Sequence, residues 1–236
     1  MVRLGLAPSR EQAKRLILAG DVKVTGRRVT QPGWELKPTD QLELRQPPKF
    51  VSRGGFKLEG ALETFQLDVT GLTALDVGSS TGGFTDCLLQ RGAKKVFAFD
   101  VGTNQLVWKL RSDPRVVSRE QINVRHLQPE DVGEEVDFIV ADVSFISLTL
   151  VLPPALAVLK PGGNAVVLVK PQFELSREEV GKGGIVREPE LHQKACDRIE
   201  SFVRGQNGLE WRGIVESSIQ GTDGNREFLA WFSKIG

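Results

Sequence analysis

Apolar positions along this chain follow two rhythms, and the change between them marks its organisation. From Ser9 onward, Ala13, Leu16 and Ile17 recur at the three- and four-residue spacing of a helix, with Ser9 placed to cap its start and Gln12 three residues on. Gly20 predicts the helix stop, Val22-x-Val24 a short strand turning at Thr25-Gly26, and Gln41 to Leu44 the closing strand. After the pair Pro47-Pro48, Leu58, Leu62 and Phe65 mark one face of a second helix that opens on Gly54-Gly55, with Lys57 beside that face. Beyond residue 70, short apolar runs alternate with helix-length segments, the pattern of an α/β open parallel sheet.

Four of those runs end in a charge: Leu72 to Leu75 leads to Asp76, Val96 to Phe99 to Asp100, Phe138 to Ala141 to Asp142, and Ala165 to Val169 to Lys170. Parallel sheets bind ligands in the crevice outside the carboxyl ends of their strands, so a series of four is a candidate site. The apolar stretch from Phe138 to Leu159 is long enough to cross a bilayer, yet it holds Asp142, Ser144, Ser147, Thr149 and Pro153-Pro154. A strand, a loop and a buried helix describe it better.

The chain has 236 residues, 40% of them apolar, enough for an ordinary domain and a small one. Cys87 and Cys196 stand far apart and without partners at metal-ligand spacing, which argues against a disulfide scaffold or a metal site and for a reducing, cytoplasmic setting. No charged-then-apolar leader opens the sequence. The net charge of +1 conceals an asymmetry: residues 1–49 carry ten Lys or Arg against five Asp or Glu, a net +5, leaving −4 for the rest. A basic small module ahead of a mildly acidic larger one predicts a polyanionic partner.

The string SREQAKRLILAGDVKVTGRRV resembles the S4-type RNA-binding fold at Ser9, Arg10, Ala13, Leu16, Ile17, Gly20, Val22, Val24 and Gly26. That resemblance implies RNA-backbone contacts from Arg10, Lys14, Arg15, Lys23, Arg27 and Arg28, which would position the protein without reading sequence; a solvated basic face is the alternative. Members of that family carry a further N-terminal stretch, so the module is expected to be shortened here, Met1 to Leu6 joining it partway through its first helix.

DVGSSTGGFTD, residues 76–86, lacks the dinucleotide spacing and the phosphate-loop lysine. Its D-x-G-x-x-x-G-G form resembles the first motif of S-adenosylmethionine-dependent methyltransferases. The resemblance implies that Asp76, Gly78, Ser79, Ser80, Gly82, Gly83 and Phe84 cradle the methionine end of the cofactor. Asp100, followed by Val101, would hold the ribose hydroxyls by charge-assisted hydrogen bonds, with Asn123 at the adenine and Asp142 among the cofactor contacts. A simple turn asparagine remains an equal reading of Asn123.

Taken in order, the basic module, VSRGGFKL, DVGSSTGGFTD, ADVSFISL, LVKPQFE, GKGGIVR and GNREFL resemble the TlyA-type, or haemolysin A, family of rRNA 2′-O-methyltransferases over essentially the whole chain. The resemblance implies a Rossmann-like S-adenosylmethionine-dependent methyltransferase sheet, mostly parallel with an antiparallel last strand, behind a small α+β RNA-binding module. Its domains would be residues 1–46, a linker 47–52, and an FtsJ-like domain 53–236. It implies a catalytic tetrad of Lys57, Asp142, Lys170 and Glu227, with Lys170 orienting and deprotonating a ribose hydroxyl, and ribosomal RNA, at cytidine, as substrate. Arg53, Lys182 and Arg187 are expected as further RNA contacts, the last two on a glycine-rich segment that reads either as a mobile loop over the substrate or as an ordinary solvated loop. His126 and His192 read as structural and Cys87 as core. Two other classes compete: a membrane-active cytolysin, which requires an exposed amphipathic or spanning segment, and an RNA-binding protein with a decayed catalytic domain. A base N-methyltransferase is disfavoured because Pro153-Pro154 follows leucine and precedes alanine.

Overall fold

The computed structural model describes residues 1–45, 48–181, 183–221 and 223–236. It forms two compact units, Met1–Lys49 and Phe50–Gly236, the break falling inside the expected linker. Gln46 and Pro47, at the edge of that linker, lie outside the described residues.

In the first unit, helix α1 (Arg10–Ala19) starts where expected: the Gln12 N–H donates to Ser9 Oγ at 3.2 Å, and Gly20 closes the helix at φ 73°. Strands β1 (Val22–Val24), β2 (Arg27–Val29) and β3 (Leu42–Leu44) form an antiparallel sheet in the order β2-β1-β3. The alternation that buries Val22 and Val24 leaves Lys23 exposed. Strand β2 is an addition to the sequence reading, which placed the turn at Thr25-Gly26 but named no strand directly after it.

The second unit begins with α2 (Gly54–Thr64), β4 (Thr73–Val77), α3 (Gly83–Gln90) and β5 (Lys95–Phe99). The short turn α4 (Trp108–Arg111), β6 (Val116–Arg119), the turn α5 (Pro129–Val132) and β7 (Val136–Ala141) follow. Next come α6 (Leu148–Ala157), β8 (Leu159–Val169), the turn α7 (Pro171–Glu174), α8 (Pro189–Arg204), β9 (Leu209–Glu216) and β10 (Phe228–Lys234).

Seven strands make one sheet in the order β6-β5-β4-β7-β8-β10-β9. The pairs from β6 through β8 are parallel, and β10 runs antiparallel to both β8 and β9. Neighbouring strand residues face opposite sides of the sheet. Ala74, Val140 and Val166 therefore join one apolar cluster with residues of α2 and α3, while Leu75, Ile139 and Val167 join another with residues of α6 and α8. Helix α8 shows why: His192, Ala195, Cys196, Ile199 and Val203 are buried at helical spacing behind Pro189 at its first position.

The apolar stretch 138–159 resolves into most of β7, a loop and α6, as its Asp142 and prolines predict. Pro153 and Pro154 sit inside α6, where each removes a backbone donor. Burial of Leu148, Val151, Leu152 and Ala155 holds the helix in place nonetheless. Among the described residues no helix is long and apolar enough to cross a membrane.

Helices α2 and α3 meet through glycines. A Cβ on Gly83 would stand 2.2 Å from Ser52 Oγ and 3.1 Å from Gly54 Cα, and one on Gly55 would stand 2.3 Å from the Phe50 ring. The glycine pair that opens α2 thus permits a close approach that any side chain would block. Gly55→Ala is expected to lower stability by about 1–3 kcal/mol, because the Phe50 ring cannot give way inside a packed core. Urea denaturation, with an unchanged m-value, is the measurement.

Candidate active site at the carboxyl ends of the strands

Asp100, Asp142 and Lys170 each follow the last residue of a strand. Because β10 is reversed, its start lies beside the end of β8: Phe228 pairs with Val169, which places Glu227 next to Lys170. Lys57 arrives from the first turn of α2. All four tetrad residues line one crevice of about 480 Å³ together with Ser52, Arg53, Gly54, Gly78, Ser79, Ser80, Thr81, Gly83, Phe84 and Ser144.

Two ion pairs organise the crevice. Lys57 Nζ donates to Glu227 Oε2 at 2.5 Å, with the lysine 8% and the glutamate 3% exposed. Lys170 Nζ donates to Asp142 Oδ1 at 2.6 Å and to Ser144 Oγ at 2.9 Å. Charges this far from water persist only when paired, so each lysine is fixed by its partner. The turn before β10 is built around Glu227: a Cβ on Gly221 would stand 2.6 Å from Glu227 Oε1, and the Gly221 N–H donates to Asn225 O at 2.9 Å. Thr222 of that turn lies outside the described residues.

A second cavity of about 550 Å³ shares Gly78, Ser80, Asp142 and Ser144 with the first. Asp100, Val101, Gln105, Asn123 and Arg125 line it with the apolar Ile122, Val124, Val143 and Ile146. Asp100 ties the two strand ends together, accepting the Ser80 N–H on Oδ2 and the Gly102 N–H on Oδ1, both at 2.7 Å. Gly78 has φ 79°, and a Cβ there would stand 2.6 Å from Asp142 O, so the turn admits only glycine. Gly82, at φ 101°, lines neither cavity and packs against Leu106 and Leu110. The Asn123 side chain accepts the Arg125 N–H at 3.2 Å, a turn role that coexists with its place on the wall.

Asp76 departs from expectation. It lies within β4, not beyond it, is fully buried, and lines neither cavity. Its Oδ2 accepts the Thr85 hydroxyl at 2.6 Å, and Oδ1 has no partner. Burial, reinforced by the carboxylates of Asp142 and Asp100, pushes its carboxyl up to about 7 against the pull of the Thr85 hydroxyl. Asp76 therefore fastens α3 to β4 under the glycine turn and makes no wall of either cavity.

The basic residues divide. Arg10, Lys14, Lys23 and Arg27 are exposed on the first unit. Arg15 pairs with Glu11 at 2.6 Å on the same helix. Arg28 is exposed too, and it donates to Gly20 O at 3.0 Å and Ala19 O at 2.9 Å, so its guanidinium also caps α1. Arg53 lines the tetrad crevice and donates to Gln220 O. Arg187 is exposed, and Lys182 lies outside the described residues.

The segment expected as a mobile loop is fastened at two places. Glu174 is buried, and Val186 is clipped by its N–H to Asn225 Oδ1 at 2.9 Å and its carbonyl to His192 Nε2 at 3.0 Å. Asn225 Nδ2 also donates to Gly184 O at 2.9 Å. His192 therefore carries its proton on Nε2, and Nδ1 is buried without a partner. His126 is exposed, Cys87 is buried, and burial pushes the Cys196 thiol up to about 12.

Four residues of the site escaped the sequence reading: Ser144, Phe145, Glu174 and Asn225. All four lie in motifs already noted, two to four residues from a tetrad member, but nothing local distinguishes them from turn residues. Phe145 is 91% exposed, sits at φ 65°, and stacks its ring 5.2 Å from Phe173. A bulky side chain in the left-handed region is strained, and periodicity cannot signal it.

A mostly parallel seven-stranded sheet with one reversed strand, a glycine turn after its central strand and an acid at the end of the next define the Rossmann-like methyltransferase class. Residues 50–234 match the FtsJ-like methyltransferase family, and residues 1–42 match the S4 domain. The chain belongs to the FtsJ-like methyltransferase family. It is 45% identical over 235 residues to the 16S/23S rRNA (cytidine-2′-O)-methyltransferase TlyA of Mycobacterium tuberculosis, covering 98% of this chain and 87% of that one. Hemolysin A of Brachyspira hyodysenteriae is 46% identical over 229 residues, 97% and 95% of the two chains. A solved hemolysin-type protein from Streptococcus thermophilus superposes with TM-score 0.77 at 49% identity, covering 96% of this chain and 83% of its own.

The Asp76 carboxyl yields a prediction with a definite sign. Its folded value exceeds its unfolded one, so its contribution to stability is complete below about pH 4 and is lost as pH rises through 7. Asp76→Asn, which cannot ionise, is expected to gain on the wild type by roughly 1–4 kcal/mol between pH 4 and 8. Urea midpoints across that range measure it, and parallel curves would show that Asp76 does not titrate there.

Proposed function

We propose that this protein is an S-adenosylmethionine-dependent ribose 2′-O-methyltransferase acting on ribosomal RNA, at cytidine. The observation that carries the reading is the pair of ion pairs, Lys57–Glu227 and Lys170–Asp142, in one crevice that shares Gly78, Ser80, Asp142 and Ser144 with a second, cofactor-sized cavity. The name of the TlyA relative, at 45% identity over nearly the whole chain, supports the substrate and the position of the methyl group.

The second cavity fits the cofactor on its own chemistry. The glycine turn exposes backbone where a side chain would intrude, and the Asp100 carboxylate, with two of about four acceptor sites used, keeps capacity for two hydroxyl donors. Apolar Ile122, Val124, Val143 and Ile146 suit a flat aromatic base, with Val101 and Asn123 at its edge. Gly78, Ser79, Ser80, Gly83 and Phe84 would take the methionine end, beside Asp142. Bound there, S-adenosylmethionine would supply an activated methyl carbon.

The chain must then hold a poor nucleophile in line and remove one proton. Asp142 and Ser144 fix where Lys170 Nζ points, and Lys170, in its neutral amine form, receives the proton of the 2′-hydroxyl to become the ammonium that pairs with Asp142. Lys57, held by Glu227 on the facing wall, orients the same ribose. Positioning of this kind supplies much of the acceleration in a transfer between two bound partners. Phe145 offers an exposed aromatic face at the mouth of the cofactor cavity, suited to a base splayed out of an RNA strand. Arg10, Lys14, Lys23 and Arg27 give the first unit a basic surface for RNA phosphates, and Arg53 and Arg187 add charge on the second.

Lys170→Ala is expected to lower turnover at least about 100-fold while cofactor affinity stays unchanged. The assay uses labelled S-adenosylmethionine with separate ribosomal subunits that lack the modification, followed by digestion to nucleosides. Label on a ribose 2′-oxygen of cytidine, lost in the variant, supports the reading; near-normal turnover in the variant defeats it. In the first unit, Arg10→Ala with Lys14→Ala should weaken RNA binding and reduce the slope of log affinity against log salt by roughly 1.4–1.8. Filter binding over a salt series, with an unchanged cofactor dissociation constant, checks this.

A further inference from the structure

The loop after β7 and the turn after β8 are joined rung by rung. Lys170 Nζ meets Asp142 Oδ1 and Ser144 Oγ, and the Phe173 ring packs on Phe145. Beyond them, the Ser147 hydroxyl donates to Glu174 Oε2 at 2.5 Å and the Leu148 N–H to Glu174 Oε1 at 2.8 Å. Arg198 of α8 donates to the Glu174 carbonyl at 2.5 Å, holding the turn from the other side.

Glu174 is only 1% exposed, and its burial pushes the carboxyl above the usual range. Ser147 Oγ accepts the Thr149 N–H at 3.2 Å and caps α6, while Glu174 takes the Leu148 N–H at the same helix end and also the Ser147 hydroxyl, so it joins that end to the turn after β8. The loop does need an anchor. Phe145 is held in the left-handed region, a strained state that persists only where the surroundings over-determine it. The two hydrogen bonds to Glu174 close the far end of that loop, two and three residues beyond Phe145.

We propose that Glu174 is a positioning residue for methyl transfer: its carboxylate clasps the 142–147 loop to the end of β8, so that Asp142 and Ser144 hold Lys170 Nζ in one direction. The proposal rests on the tetrad reading above and adds to it a residue that touches neither substrate nor cofactor. If Lys170 takes the proton as a neutral amine, two N–H groups are directed at Asp142 and Ser144 and the lone pair is left facing the crevice. A loosened loop would misdirect that lone pair without disturbing the cofactor cavity.

The test compares Glu174→Gln, Ser147→Ala and Ser144→Ala with wild type and Lys170→Ala, measuring kcat, KM for ribosomal subunits, cofactor affinity by calorimetry, and melting temperature. Glu174→Gln keeps the volume and one acceptor but turns a donor toward the Ser147 hydroxyl. The expected result is a loss of kcat of about 10-fold or more, with KM and cofactor affinity within twofold and a melting temperature within a few degrees. Ser147→Ala, which leaves the carboxylate in place, is expected to show the same pattern at smaller amplitude, so the proposal stays testable should the glutamine variant fold poorly. Combining Glu174→Gln with Ser144→Ala should cost less than the product of the separate losses, because both act through Lys170. Wild-type kcat in both clasp variants, alongside an inactive Lys170→Ala, overturns the clasp and leaves the tetrad standing. A loss shared equally with stability and cofactor affinity also overturns it. An active Lys170→Ala removes the tetrad reading and the clasp with it.

Discussion

A lysine and a glutamate that come from opposite ends of the catalytic unit, 170 residues apart, share one hydrogen bond out of reach of water. Withdrawing either charge from solvent costs several kcal/mol, and removing one partner strands the other at a cost of about 3–5 kcal/mol. The Lys57–Glu227 pair therefore ties α2 to the start of β10 in one arrangement. It also explains the reversed strand. A parallel strand would begin at the far edge of the sheet, whereas an antiparallel β10 begins where β8 ends and delivers Glu227 beside Lys170. The second pair, Lys170–Asp142, closes the same circuit across β7 and β8.

Glycines make that arrangement reachable. Lys57 enters the crevice because α2 starts on two glycines that lie against Gly83 and Phe50. The turn over Asp142 O exists because Gly78 has no Cβ, and Glu227 is seated because Gly221 has none. These close approaches lie where chemistry is expected, and each would be lost to a single methyl group. Most polar groups beneath them take local partners: Thr85 serves one oxygen of Asp76, Ser80 and Gly102 serve Asp100, and Asn225 serves the backbone at Gly184 and Val186.

Several features were legible before any coordinates. The cap at Ser9, the stop at Gly20 and the sheet built from short apolar runs follow from local chemistry and periodicity, which act over one or two turns. The charges after β5, β7 and β8 were visible for the same reason, since a strand's end is a local event. Arg28 shows the limit of such reasoning. Its place in a basic run suggested phosphate, and nothing in that run signalled that its guanidinium also closes the end of a helix eight residues earlier.

What the sequence by itself determined is the order of elements, the parallel core and the set of charged residues at its edge, because these depend on burial patterns within short stretches. Only the tertiary structure decided which partner each polar group takes. Asp76 turned inward to Thr85, Glu174 reached back to Ser147 and Leu148, and the backbone of Gly184 and Val186 found Asn225 and His192. Hydrogen-bond and ion-pair partners are chosen across tens of residues by proximity in a dry interior, and no periodicity along the chain carries that information.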